Sequence, residues 1–283
     1  MTPEHPEADT RTEDAPASGM AGETSGWNGG GAFTEDGFLD GRLRLLQPAK
    51  GYRAGIDAVL LAASIPARAG ERVLEAGAGV GVASLCLAAR VPGADVAGLE
   101  LQGELVHVAR ENARRNKLEN QFTAIEGDVG QPVRDLVALG LEPQSWHHVF
   151  ANPPFHDPAR AAMPPDAGKA QAHLTLGSDL ADWVRFACVM VRPKGTVSFI
   201  HRADALASLL SVLEGHVGNI EIFPLWPAAG KPASRVILRG QRGSRGPLTL
   251  RAGLVLHGRD GRFTERVEAV LRHGAALSFD QPI

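Results

Sequence analysis

Short apolar runs alternate with longer stretches whose apolar residues recur at helical spacing through most of the chain. The runs at 73–76, 95–100, 122–126, 146–151, 196–200 and 219–223 read as buried strands. Between them, 83–90, 104–116, 179–191 and 203–214 read as helices, the third stopping at Pro193-Lys194-Gly195. Strand–helix alternation of this kind predicts an α/β fold on a parallel sheet, wound in both directions. Upstream, 38–47 alternates loosely and predicts a hairpin around Asp40-Gly41. Asp57 is placed to N-cap a helix over 58–65 that ends before Pro66. Downstream, two further strands, 235–239 and 248–257, flank a Gly- and Arg-rich loop.

The first strand runs into Glu75-Ala76-Gly77-Ala78-Gly79-Val80-Gly81-Val82. Gly77 and Gly79 allow a tight turn that brings backbone close to a ligand. The dinucleotide fingerprint needs a third glycine at 82, where Val82 stands, which argues against a pyrophosphate. Glu75 adds a carboxylate that would repel phosphate and suit a ligand carrying positive charge. Glu100 ends the second strand, at the spacing from the first where an acid binds ribose hydroxyls. Asp128 follows the third strand, and Asn152 follows the fourth. Any one of these acids is as well explained by a helix cap or a solvated loop. Four polar residues at four successive strand ends, which share one edge of a parallel sheet, point to a site.

The fourth strand stops at Asn152-Pro153-Pro154-Phe155. Neither proline can donate to a sheet, so the pair fixes a stiff turn where open α/β sheets bind ligands. An exocyclic amine suits such a turn. The Asn152 side-chain oxygen and the Pro153 carbonyl can accept its two N–H bonds while Phe155 stacks on the ring.

Glu75-Ala76-Gly77-Ala78-Gly79 followed by Asn152-Pro153-Pro154-Phe155 resembles the class I S-adenosylmethionine-dependent methyltransferases. Gly51-Tyr52-Arg53-Ala54-Gly55-Ile56-Asp57, Pro232-Ala233-Ser234-Arg235 and Gly253-Leu254-Val255-Leu256-His257 are similar to the bacterial tRNA adenine-N6 methyltransferases that act on a valine tRNA beside its anticodon. The resemblance covers residues 34–275. It implies a Rossmann-like fold with a seven-stranded, mostly parallel sheet ending in a C-terminal antiparallel hairpin, and S-adenosyl-L-methionine as cofactor. It implies that Gly77 and Gly79 approach the methionine part, Glu75 its amino group, Glu100 the ribose and Asp128 the adenine. Ala76, Leu101 and Val129 complete the expected cofactor contacts, with Asn152 facing both ligands. Asn152, Pro153, Pro154 and Phe155 form the expected catalytic turn, and the 55–57 segment is expected against the cofactor. Phe155 stands where many adenine enzymes carry Tyr, so guanine N2 of ribosomal RNA and the side-chain amide of protein glutamine stay open as acceptors.

Composition adds boundaries. Residues 1–40 of the 283 hold nine acids and one Arg, against a net charge of −3 for the whole chain. Residues 1–33 are expected to be a disordered acidic tail and 34–283 the methyltransferase domain, with 34–66 as hairpin and helix and 71–283 as core. The tail lacks the apolar run of a signal peptide, and the chain shows no stretch long enough to cross a membrane, so a cytoplasmic place is expected. Cys86 and Cys188 fall in apolar helices and read as buried free thiols, and no Cys/His spacing indicates zinc. The polar segment 158–172 reads as a mobile loop over the substrate. Residues 231–262 carry eight basic side chains against Asp260 alone, a candidate RNA-contacting face that argues against the protein acceptor. The oligomeric state stays open.

Overall fold

A computed structural model describes residues 32–51, 53–154 and 179–280. Residues 1–31 of the expected tail, Phe155 and the expected loop at 158–172 lie outside the described residues.

β1 (Phe33–Phe38) and β2 (Leu43–Pro48) form the predicted antiparallel hairpin, with Leu39, Asp40 and Gly41 at positive φ in its turn. α1 (Ile56–Ser64) follows, then β3 (Arg72–Ala76), α2 (Val82–Arg90), β4 (Asp95–Glu100), α3 (Gly103–Arg115), β5 (Phe122–Glu126), α4 (Val133–Ala138) and β6 (Trp146–Ala151). The second half holds α5 (Leu180–Met190), β7 (Val191–Arg202), a 3-10 turn, α6 (Leu206–Leu213), β8 (Val217–Ala228), β9 (Arg235–Arg242), β10 (Thr249–Leu250), β11 (Leu254–His257) and α7 (Glu265–His273).

One sheet runs in the order β10-β8-β9-β7-β6-β3-β4-β5, with β11 also beside β8. Strands β3 to β7 are parallel, and β9 lies antiparallel between β7 and β8. The Rossmann-like, mostly parallel sheet is therefore as expected, but it has nine described strands instead of seven, because β10 and β11 add to the outer side of β8, and the C-terminal antiparallel hairpin is β8–β9. The 248–257 run is not its second arm. It pairs with the far side of β8, in parallel, as the two short strands β10 and β11. The expected N-cap at Asp57 is also corrected: Gly55 holds the cap position, and the Asp57 carboxylate instead accepts from Arg235 Nε at 2.9 Å.

Each face of the sheet has its own core. One gathers the hairpin, α1, α2, α3 and α7, and the other α4, α5 and α6. The two thiols divide between them, both buried, and burial raises both pKa values.

Candidate active site

The parallel register brings the predicted polar strand ends to one edge. Ala76 pairs with Leu99 on one side and Ala151 on the other, and Glu100 pairs with Glu126. Beyond that edge lies a cavity of about 1010 Å³. Glu75, Gly77, Gly79, Glu100, Leu101, Asp128, Val129, Asn152, Pro153 and Pro154 all border it. Ala76 does not, because its side chain stays in the core while the chain bends into the cavity only from Gly77.

The bend is held from beneath. Leu99 O accepts from Gly77 N at 2.8 Å and Ala78 N at 3.0 Å, and Glu100 Oε2 accepts from Gly79 N at 2.9 Å. Gly77 takes φ +68°, and a methyl group there would lie 2.4 Å from Cη2 of Trp183. That contact requires glycine whatever the backbone angle. Gly79 takes φ +55° with nothing within 4 Å of such a methyl group, so only its backbone angle is demanding.

Glu75 is buried, and its Oε2 accepts from Ser84 N at 3.0 Å and Ser84 Oγ at 2.5 Å. The N-cap of α2 is Gly81, which has no side chain to satisfy the first turn, and Glu75 supplies the missing acceptor from β3. Burial pushes its pKa up to about 8, against the opposing pull of Ser84 and with a further push from Glu100. Glu100 accepts one backbone N–H on each oxygen, from Gly79 and from Gln102 at 2.9 Å. A carboxylate offers about four lone-pair sites, so this one stays oriented with capacity to spare. Asp128 Oδ1 accepts from Gly130 N at 2.8 Å, an Asx-type turn that sets the acid at the rim. Leu101, 40% exposed, and Val129 add apolar surface beside it.

Asn152 is half-buried, Pro153 buried and Pro154 exposed, where β6 ends. The bend at 77–79 and the amide at 152 therefore open into one space. Single-ligand pockets occupy roughly 300–1,000 Å³. This one lies at the top of that range.

Residues 53–177 match the family model of the methyltransferase small domain. The chain is an S-adenosylmethionine-dependent methyltransferase. A relative from Aeromonas hydrophila, named tRNA1(Val) (adenine(37)-N6)-methyltransferase, is 27% identical over 219 residues, covering 76% of this chain and 86% of the relative. A relative of the same name from Glaesserella parasuis is 24% identical over 189 residues, or 66% of this chain and 75% of the relative. Among solved structures, one described as a predicted O-methyltransferase, Atu636 from Agrobacterium tumefaciens, superposes with a TM-score of 0.68 at 27% identity, over 80% of this chain and all of that one.

Two walls of this methyltransferase site were not among the residues chosen from sequence. Trp183, in the first turn of α5, borders the cavity against Gly77. Its only sequence signal is a Trp in an otherwise ordinary amphipathic helix. The other wall comes from the N-terminal hairpin, through Phe33, Gln47, Pro48, Lys50 and Gly51. Gln47 fixes the strap that follows it, accepting from Ala54 N at 2.8 Å and donating to Ala54 O at 3.2 Å. Arg53 binds Thr34 Oγ1 at 2.6 Å, Pro48 O at 2.8 Å and the Asp36 carboxylate. The 55–57 segment expected against the cofactor does not border the cavity: its neighbours Ala54 and Ala58 do, whereas the Asp57 carboxylate turns to Arg235.

Proposed function

We propose that this enzyme methylates the exocyclic amine of a base in structured RNA, adenine N6 of a tRNA in the cytoplasm. One observation carries the reading: the glycine bend and the Asn152 turn line one cavity of about 1010 Å³. The names of the Aeromonas and Glaesserella relatives support tRNA adenine as the acceptor.

The residues fit the donor. S-adenosylmethionine supplies a methyl group on an electrophilic sulfonium. Glu75 would meet its ammonium, Glu100 would accept from its ribose hydroxyls, and Asp128 would accept from its adenine amine. Gly77, Gly79, Leu101 and Val129 would supply backbone and apolar contact.

At the acceptor, the Asn152 amide oxygen and the Pro153 carbonyl would each accept one N–H. They would turn the nitrogen lone pair out of conjugation and towards the methyl group, and stabilise the positive charge that develops on nitrogen. After transfer the substituted amine is acidic and gives its proton to water. An extruded base costs a few kcal/mol to unstack. We assign its stacking partner to Phe155, worth about 1–3 kcal/mol.

For the RNA backbone, topology divides the basic segment. Arg235, Arg239 and Arg251 are held by Asp57, Glu221 and Asp280. Arg242 ends β9, paired with the start of β8, and Arg245 follows it, on the edge away from the cavity. Lys231, Arg259 and Arg262 follow the ends of β8 and β11, on the cavity's own edge. Together with Lys50 they are the cations we assign to phosphate. No described helix is long and apolar enough to cross a membrane.

The test is nucleoside mass spectrometry of RNA from a strain lacking the gene, paired with methylation of its tRNA by the purified enzyme. Loss and restoration of N6-methyladenine in tRNA is expected. Loss of methylguanine from ribosomal RNA instead would move the acceptor and leave the enzyme class standing.

A further inference from the structure

Asn112 on α3 is fully buried. Its Oδ1 accepts from Leu46 N at 2.7 Å, and its Nδ2 donates to Leu46 O at 3.0 Å and Val80 O at 3.0 Å. One turn later Asn116 repeats the pairing with Arg44, accepting from its N and donating to its O, each at 2.9 Å. Two amides four positions apart on a helix thus meet alternate residues of β2, on the side away from β1. They act as a third strand for the hairpin.

Asn112 differs from Asn116 in its bond to Val80, which belongs to the glycine bend and borders the cavity. Gln47 and Pro48, directly after Leu46, border the same cavity from the hairpin. A single amide therefore bridges two of its walls. Each of the three bonds satisfies a buried backbone group that has no water to turn to.

We propose that Asn112 is a positioning residue for methyl transfer: it ties the hairpin wall to the glycine bend, so that filling the cofactor half of the cavity also fixes the hairpin wall of the same site. This rests on the cavity being the joint donor and acceptor site.

Amide hydrogen exchange with and without S-adenosylhomocysteine tests it. In the wild type the nucleoside should slow exchange at 77–83 and also at 43–48, the latter by about tenfold, within the range usual for coupled sites. In Asn112→Ala the slowing should persist at 77–83 and vanish at 43–48. Asn116→Ala should speed exchange at 43–48 in the free protein yet keep the ligand-dependent slowing. Should Asn112→Ala not fold, Asn112→Asp keeps the acceptor for Leu46 N, loses both donations, and is read the same way. Unchanged slowing at 43–48 in either Asn112 variant, or none there in a wild type that binds the nucleoside, overturns the proposal. A wild type that shows no binding by calorimetry overturns the reading of the cavity instead.

Discussion

Arg235 Nε donates to Asp57 Oδ2 at 2.9 Å across 178 positions of sequence. The pair fastens α1, whose preceding strap lines the cavity, to the first residue of β9 and so to the 229–234 turn that carries Lys231. Both side chains are partly exposed, so the contribution to stability is modest, about 0.5–1 kcal/mol after screening. Asp57→Asn should lower the unfolding free energy by that amount, read as a lower urea midpoint at unchanged slope. A loss several times larger would show that Asp57 is more than an anchor.

Asn152→Ala should remove the acceptor that orients the substrate amine. We expect kcat to fall about 10²–10³-fold, the usual cost of one preorganised polar contact in a transition state. Affinity for S-adenosylhomocysteine by calorimetry should barely move. Retained turnover would refute the assigned role.

Gly77 and Gly79 both take positive φ but differ in what lies beyond them. Gly79→Ala meets open space and should cost about 1 kcal/mol, the strain of a left-handed residue. Gly77→Ala drives a methyl group into Trp183 and should cost several times more, with loss of cofactor binding. Trp183→Leu should recover part of the Gly77→Ala loss in a double-mutant cycle. Equal penalties at the two glycines would argue against the indole contact.

Burial holds the Glu75 carboxyl near pKa 8, so it is mostly protonated at neutral pH in the free protein. An ammonium group placed beside it should displace that proton. Calorimetry at pH 7 in buffers of differing ionisation enthalpy should report nearly a full proton released per cofactor bound, and Glu75→Gln should abolish the release. The folded chain also holds this proton more tightly than the unfolded chain, where a Glu titrates at about 4.3. The associated stability is complete below that value and is lost as pH rises towards about 8. Glu75→Gln, which keeps an acceptor for Ser84, should flatten that part of the stability profile.

The division of the basic segment predicts unequal effects on RNA. Lys231→Glu and Arg262→Glu should weaken tRNA binding in a filter assay and lower its salt dependence. Arg242→Glu and Arg245→Glu should do little. Equal losses from both pairs would restore the whole segment as the docking face.

What could be read in advance follows from how locally each feature is encoded. β4, β5 and β6 are short buried runs bounded by polar or proline residues, and they fall where the pattern placed them. The shared edge of Glu75, Glu100, Asp128 and Asn152 followed from parallel topology alone. α4 was missed because it is six residues long and leaves Val133 and Val137 exposed, so it lacks a core-facing stripe. The partner of the 248–257 run was missed because pairing is a long-range choice. Glu221 helps to fix it, accepting from Arg239 and Arg251 at 2.9 Å on its two oxygens, and so absorbs charge that the sequence alone assigned to RNA. The hairpin wall depends on Asn112 and Asn116, which in sequence are only two amides in a polar helix.

The outer border of the large sheet is built in two pieces, Thr249–Leu250 and Leu254–His257, interrupted at 251–253. A foreign chain seeking to extend the sheet there meets two residues with Leu250 facing solvent, then a break, then four more. An uninterrupted row of free backbone groups invites association, and this border never presents one of useful length. This border thereby gives a foreign strand no long template to extend.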